Sequence, residues 1–509
     1  MHNVPERLPT SGAWIKDLSS SLVVFLVALP LCMGIALASG VPPARGLMTG
    51  IIGGIIVGLL SGSPLQVSGP AAGLAVIVFQ LVREHGIAAL GPVLIVAGAI
   101  QLVAGLLKTG RWFRAISPEV IHGMLAGIGV LIVIQQFHVL LDRTPKSSGP
   151  ANIMAMGEAV FSGFFPLNGS REEYAALIGI LTIAVMLLWE KFRPAKLRLI
   201  PGALLGIVAA TALAQALHLG VNRVKVAELS SMISLPTLAP VHEWGWGPML
   251  LSAAALAFIA SAETLLSAAA VEQMQDKVRT NYDKELAAQG VGNMLCGIVG
   301  ALPMTGVIVR SSANVQAGAE TRRSTILHGT WLLLFVLLLP FVLRMIPTAS
   351  LAAVLVITGI RLVKPADVRH LRKFGWAPVL IYLASLITIV TTNLLTGVLV
   401  GIGLSLFKLL WKLTHLETKV EQIGEGQALV RLSGVGTFIG IPKVARTLDS
   451  VPHGCCVHID ASGLRYIDHA CIDVIDNWAR RRRDQGHLVH LEIDTLLRRY
   501  KTPISQPVV

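Results

Sequence analysis

From Ser19 to Ile402 the charged residues gather in short clusters, and the stretches between them are apolar and mostly long enough to cross a bilayer. That pattern leaves few folds open. In hydrocarbon every backbone N–H and C=O must be paired inside the protein, so the chain is either a helical bundle or a closed barrel. Segments close to 20 residues, rather than 10, select helices. Composition agrees: 53% of the 509 residues are hydrophobic and 14% are charged, against about 25% charged in soluble domains. After about Thr414 the charge density becomes that of a soluble protein, which divides the chain into a membrane body, 1–413, and a smaller domain, 414–509.

The net charge of +13 does not indicate nucleic acid, because the basic residues sit mainly between the apolar segments, as the positive-inside rule requires. The odd set of cysteines, Cys32, Cys296, Cys455, Cys456 and Cys471, lacks metal-ligand spacing and implies neither a zinc site nor a disulfide framework. The first segment ends "IALASG", like a signal-peptide cleavage site, but many spans follow it and it reads as a retained helix. The loops hold no nucleophile–base constellation, phosphate loop or metal-ligand set, so an enzyme is not expected.

Apolar segments run near 15–37, 43–61, 70–82, 90–107, 118–141, 173–190 and 199–219, then near 247–271, 284–302, 310–318, 325–346, 348–362, 376–393 and 395–413. The third of each set of seven is too short. In "LQVSGPAAGLAVIVFQLV" (Leu65 to Val82), the part from Pro70 to Val82 spans roughly 20 Å as helix, against a hydrocarbon core of about 30 Å. It opens on Pro70 among Ser68, Gly69, Ala71, Ala72 and Gly73. Its counterpart is "LPMTGVIVRSSANVQAGAE" (Leu302 to Glu320). Short segments interrupted by Gly or Pro at corresponding places of two halves mark an inverted-repeat transporter whose substrate meets the starts of the half-helices. A helix start offers unpaired N–H groups and about half a positive charge, and two of them attract an anion. Pro70 is expected in the first helical turn, where its missing N–H costs nothing. Small residues there also serve plain helix packing.

Two solitary charges lie within spans. Arg310, beside Ser311, Ser312 and Asn314, needs an anionic partner, and both substrate and Glu263 qualify. Glu263, with Ser267 one turn further on the same face, suits Na⁺ or a proton; a structural Glu263–Arg310 ion pair is the alternative. His122 and His138 read as interfacial residues, and Pro30 as a kink in the first helix. Inside loops carry Lys108, Arg111, Arg114, Lys191, Arg193, Lys196, Arg198, Lys277, Arg279, Lys284, Arg322, Arg323, Arg361, Lys364, Arg369, Arg372 and Lys373 when both termini are cytoplasmic.

"VALPLCMGIALASGVPPARGLMTGIIGG" (Val27 to Gly54), "SGSPLQVSGPAAG" (Ser61 to Gly73) and "VIVRSSANVQAGAETRRS" (Val307 to Ser324) fall in the order found in the SulP inorganic anion transporters, which the chain resembles over nearly its whole length. Bacterial members, including relatives of bicarbonate transporters, are most similar in detail. The resemblance implies an α-helical polytopic membrane protein of the bacterial inner membrane with fourteen segments in 7+7 inverted repeats. A core domain (segments 1–4 and 8–11) would move like an elevator against a gate domain (5–7 and 12–14), in a homodimer. It implies substrate at the amides near Ala71, Ala72 and Gly73 and near Arg310, Ser311 and Ser312, and a coupling cation, Na⁺ or H⁺, at Glu263 and Ser267. No other cofactor is implied. Ala71 stands where some members carry a hydroxyl, and glutamate stands at 263 in place of aspartate.

The 414–509 domain reads strand, turn, strand, helix, strand, loop, helix, strand, and resembles the small cytoplasmic α/β STAS domain usual in that family. The family's phosphorylatable serine is absent: His469, Ala470 and Cys471 follow Asp468. Arg480 to Arg483 read as a solvated helix end, with contact to anionic lipid or to the inner loops of the membrane body as the sharper alternative. The expected function is secondary transport of bicarbonate or sulfate. A dicarboxylate or nucleobase carrier of the same fold, and an anion-gated channel or sensor, remain the alternatives.

Overall fold

A computed structural model of the chain describes residues 13–110, 117–146, 148–164, 169–194, 197, 200–225, 233–237, 244–275, 278–424, 426–452 and 454–501. Arg111, Arg114, Lys196, Arg198 and Lys277, used above for orientation, lie outside the described residues. The chain forms two compact units, Met1–Ile402 and Gly403–Val509, so the division falls within the last apolar segment rather than after it.

The first unit is helical. In order it holds α1 (Ala13–Ala38), α2 (Pro43–Leu60), strand β1 (Ser68–Pro70), α3 (Ala72–His85), α4 (Leu90–Leu106), α5 (Pro118–Leu140), α6 (Gly149–Phe164), α7 (Arg171–Phe192) and α8 (Gly202–Ala216). Then come α9 (Trp246–Gln273), α10 (Tyr282–Val299), strand β2 (Met304–Gly306), α11 (Ile308–Gln316), α12 (Arg323–Leu338), α13 (Pro340–Arg344), α14 (Thr348–Leu362), α15 (Pro365–Arg372), α16 (Trp376–Thr391) and the first part of α17 (Leu394–Leu413), which runs on into the second unit. Each of the fourteen apolar segments meets a helix, and eight helices among the described residues are long and apolar enough to cross a membrane. The order helix, helix, three-residue strand, short helix occurs twice, as α1–α2–β1–α3 and as α9–α10–β2–α11.

Helix α6 falls between the apolar segments 118–141 and 173–190, where no helix was expected. It lacks a long apolar run, and its place is fixed by Asn152. That side chain bonds the backbone of Lys146 and Ser148, and the Asn152 backbone carbonyl meets Nε2 of the buried His138 at 3.0 Å. His122 pairs through Nδ1 with Asp367 of α15 at 2.8 Å. Pro30 lies inside α1, which continues through it.

Small residues set the closest packing. A Cβ on Gly98 of α4 would stand 2.6 Å from Gly290 O and Met294 N of α10, and Gly91 and Gly105 repeat that approach one heptad to either side. Without side chains between them, the two backbones gain the dispersion contacts that hold helices together in lipid.

The second unit carries a four-stranded sheet of β3 (Leu416–Gly424), β4 (Gln427–Gly436), β5 (Cys456–Ile467) and β6 (Val489–Leu491), in that spatial order. The first pair is antiparallel and the other two are parallel. The parallel pairs need crossovers, supplied by α18 (Ile441–Asp449) and α19 (His469–Asp484); α20 (Ile493–Lys501) follows β6. Val430, Leu432, Val457 and Ile459 of the strands pack with Val444, Leu448, Ile472 and Ile475 of the helices. The N-cap of α19 is Asp468, which accepts from the amides of Cys471 and Phe438. Burial, reinforced by Asp468, pushes the Cys471 thiol up to about 12.

Arg480, Arg481 and Arg483 are exposed, as a solvated helix end requires, but Arg482 turns inward. Arg482 is buried, donates to the carbonyls of Val451 and Pro452 and lies over Trp478. Arg483 donates to Val489 O, and Arg480 pairs with Asp476. Long stems let these side chains bury carbon while their heads find carbonyls.

Candidate functional site

β1 and β2 pair antiparallel, with Ser68 opposite Gly306 and Pro70 opposite Met304. Extended backbone inside an apolar body needs a partner for each polar group, and buried side chains supply them. Asn293 of α10 grips Met304 at both its N–H and its C=O and also donates to Gln101, which donates to Ser261. Thr264 of α9 accepts from Gly306 N, and its carbonyl accepts from Gln66. Asn314 donates to Leu65 O, Gln289 donates to Ser68 Oγ, and Ser311 Oγ accepts from Val67 N.

Pro70 therefore sits in a strand, not in the first helical turn. In a two-stranded pair each strand is an edge, and a residue without an N–H is tolerated there. The helix starts two residues later, at Ala72. The second half-helix starts at Ile308, before the 310–318 segment read from the sequence.

Each half-helix begins just past the end of its strand. The strands are antiparallel, so the helices leave the pair at opposite ends with their amino termini turned towards it. The residues just before them, Ala71 and Val307, are extended, and no side chain caps either start. Leu74 N and Ser311 N are taken by Ala71 O and Val307 O. The amides of Ala72, Gly73, Ile308, Val309 and Arg310 have no acceptor among the described residues. Ser311 spends its hydroxyl and its amide on the protein, and Ser312 Oγ donates to Val309 O.

Arg310 is fully buried. Its guanidinium lies against Gly69, where a Cβ would collide with Nη1. Nη2 donates to Pro70 O at 3.4 Å, while Nε and Nη1 have no hydrogen-bond partner. So a side chain from α11 brings its charge to the strand that leads into α3. Buried donors left open in this way are costly unless a ligand completes them.

Glu263 of α9 faces the first turn of α3. A Cβ on Gly73 would stand 2.7 Å from its Oε2 and 3.1 Å from Oε1. Oε2 has no hydrogen-bond partner, and neither has the buried Ser267 Oγ one turn along. No hydrogen bond or ion pair joins Glu263 to Arg310 among the described residues, which removes the structural ion pair considered from sequence. The fold thus brings Ala71, Ala72, Gly73, Glu263 and Arg310 around one strand pair. The site holds one guanidinium, two helix ends worth about half a charge each and one carboxylate.

Sequence reasoning attended to charges and passed over the amides and hydroxyls that hold the strands: Gln66, Gln101, Thr264, Gln289 and Asn293. The available signal was their polarity inside apolar segments. His328 of α12, buried with Nε2 unbonded, was also missed.

A profile described as the sulfate permease family matches residues 14–385. YvdB of Bacillus subtilis, a candidate sulfate transporter, is 30% identical over 397 residues, covering 77% of this chain and 72% of that one. The bicarbonate transporter BicA of Picosynechococcus is 24% identical over 82% of this chain and 74% of its own. Among solved structures, the transmembrane domain of a cyanobacterial BicA superposes with a TM-score of 0.66, at 24% identity over 77% of this chain and 98% of that one. SLC26A9 gives 0.76, at 16% identity over 96% of this chain and 86% of that one. At these identities the two structures establish the fold alone.

Proposed function

The chain belongs to the sulfate permease family, and we propose that it is a secondary active transporter of a small inorganic anion, bicarbonate or sulfate, driven by a cation. The observation that carries this reading is the pair of uncapped half-helix starts around a buried arginine with two unbonded guanidinium nitrogens. In low dielectric these groups need an oxyanion more than they would in water. The anion sits on the amides of Ala72, Gly73, Ile308 and Val309, with Arg310 as a charged donor; Ser311 holds the strand, and Ser312 flanks the site.

Coupling follows from Glu263. Ionised and uncompensated, it stands at the start of α3 and repels the anion. At a separation of about 6 Å and an effective dielectric near 20 that repulsion is roughly 3 kcal/mol. Na⁺ or H⁺ at Glu263, with Ser267 as a neighbouring oxygen, removes it. By linkage the anion then tightens cation binding equally. The rest of the reading comes with the family: two inverted repeats of seven segments, elevator movement of segments 1–4 and 8–11 against 5–7 and 12–14, a homodimer, both termini in the cytoplasm, and a STAS-like second unit.

Exchange in proteoliposomes tests the site without any imposed gradient. Vesicles loaded with unlabelled sulfate or bicarbonate should take up the labelled anion saturably. Arg310→Ala should raise the half-saturating concentration roughly 10- to 150-fold, the worth of a charged hydrogen bond. Unchanged affinity in Arg310→Ala, or exchange of dicarboxylates with neither inorganic anion, would overturn the assignment.

A further inference from the structure

Cys456, His458 and His490 meet on the sheet of the second unit, far in sequence from any residue of the anion site. Cys456 and His458 are two apart on β5 and so share a face; His490 on β6 is the direct partner of His458. Val457 and Ile459, between and beyond them, are buried in the core on the other face. The Sγ of Cys456 lies 4.0 Å from His458 Nε2. The two imidazoles stack at 4.5 Å with their planes 10° apart. One ligating atom from each of the three residues lies within 4.8 Å of the other two.

We propose that these three side chains form a transition-metal site of the zinc class, with the fourth position open to water or an outside ligand. Thiolate and imidazole are the donors that zinc prefers, at about 2.3 and 2.0 Å in tetrahedral geometry. Ligand atoms in such a site stand about 3.4 Å apart. The observed spacings, at most 4.8 Å, need to close by up to about 1.4 Å, within the reach of side-chain rotation at a half-exposed surface. The metal would have a structural consequence as well. β6 is three residues long and pairs with β5 over those three alone, and a metal bridging His490 to Cys456 and His458 staples that edge strand in place.

The probe is Co²⁺, titrated into the metal-stripped full-length protein in detergent. The wild type should bind one equivalent with the intense d–d absorption of tetrahedral cobalt and a thiolate-to-cobalt charge-transfer band, both erased by Zn²⁺. Cys456→Ser should lose the charge-transfer band. His458→Ala and His490→Ala should each weaken binding at least 10- to 100-fold, since even outer-shell partners of a metal are worth about that much. Cys455→Ser, whose side chain packs against the core, should keep both bands. Hydrogen-exchange protection of the second unit in each variant confirms that it has folded. Absence of the tetrahedral signal in wild type, or its survival in the Cys456→Ser/His490→Ala double variant, would overturn the proposal.

Discussion

Gly73→Ala puts one carbon where the structure leaves no room. The added Cβ would lie 2.7 Å from Glu263 Oε2 and 3.1 Å from its Cδ and Oε1. Non-bonded carbon and oxygen prefer about 3.5 Å, so the carboxylate must retreat by roughly half an ångström or more, or α3 and α9 must part. Alanine is the better helix former by about 1 kcal/mol, so the helix itself does not suffer. The loss falls on the cation site, where an error of about 0.5 Å exceeds what a binding constellation tolerates. We expect the half-saturating cation concentration to rise about 10- to 100-fold, or roughly 1.4 to 2.8 kcal/mol, in anion uptake measured at varied Na⁺ and varied pH. Glu263→Asp shortens the side chain by one methylene, so Gly73→Ala/Glu263→Asp should lose less than the sum of its parts, with an interaction energy near 1 kcal/mol. Gly73→Ala with unchanged cation and anion dependence would refute the placement of Glu263 at the start of α3.

Two further outcomes bear on the fold of each unit. Ser311→Ala removes the acceptor of the Val67 amide and leaves a buried donor open. It should cost about 1–3 kcal/mol of stability, seen as a lower melting temperature in size-exclusion assays, with the preference among anions unaltered; a changed preference would make Ser311 a substrate ligand. In the second unit, the hydroxyl and N–H of Ser462, and then Arg431, hold the Asp460 carboxyl below the usual range. A carboxyl with a lower pKa folded than unfolded adds stability above its unfolded value and gives it up as pH falls through the folded one. Asp460→Asn should therefore flatten the acid limb of that unit's urea midpoint, read by pulsed hydrogen exchange at one fixed pH; an unchanged limb would contradict the shift.

The sequence carried the site's charges openly, because a lone Arg310 or Glu263 inside an apolar segment needs either a ligand or a partner. It carried the half-helices through Gly69, Pro70, Gly73 and Gly306, where small residues replace bulky ones. The strand pair was hidden. Ser68–Pro70 and Met304–Gly306 are too short for any alternation to appear, and their pairing joins distant parts of the chain. Arg482 misled for a different reason: in a run of arginines, nothing local says which one turns inward to Val451 O and Pro452 O. Cys456, His458 and His490 escaped because the third donor reaches the others only through the register of two parallel strands.

The central claim is that a cation gradient drives anion uptake, and net accumulation in proteoliposomes tests it most directly. With labelled sulfate or bicarbonate outside, and an inward Na⁺ gradient or proton gradient imposed in separate trials, the account predicts accumulation above the equilibrium level. The accumulation should collapse when an ionophore dissipates the driving gradient, and it should be absent in Glu263→Gln vesicles that still exchange the anion. Labelled anion that only equilibrates, at a rate indifferent to both gradients, would contradict it and leave a channel or sensor built on the same scaffold.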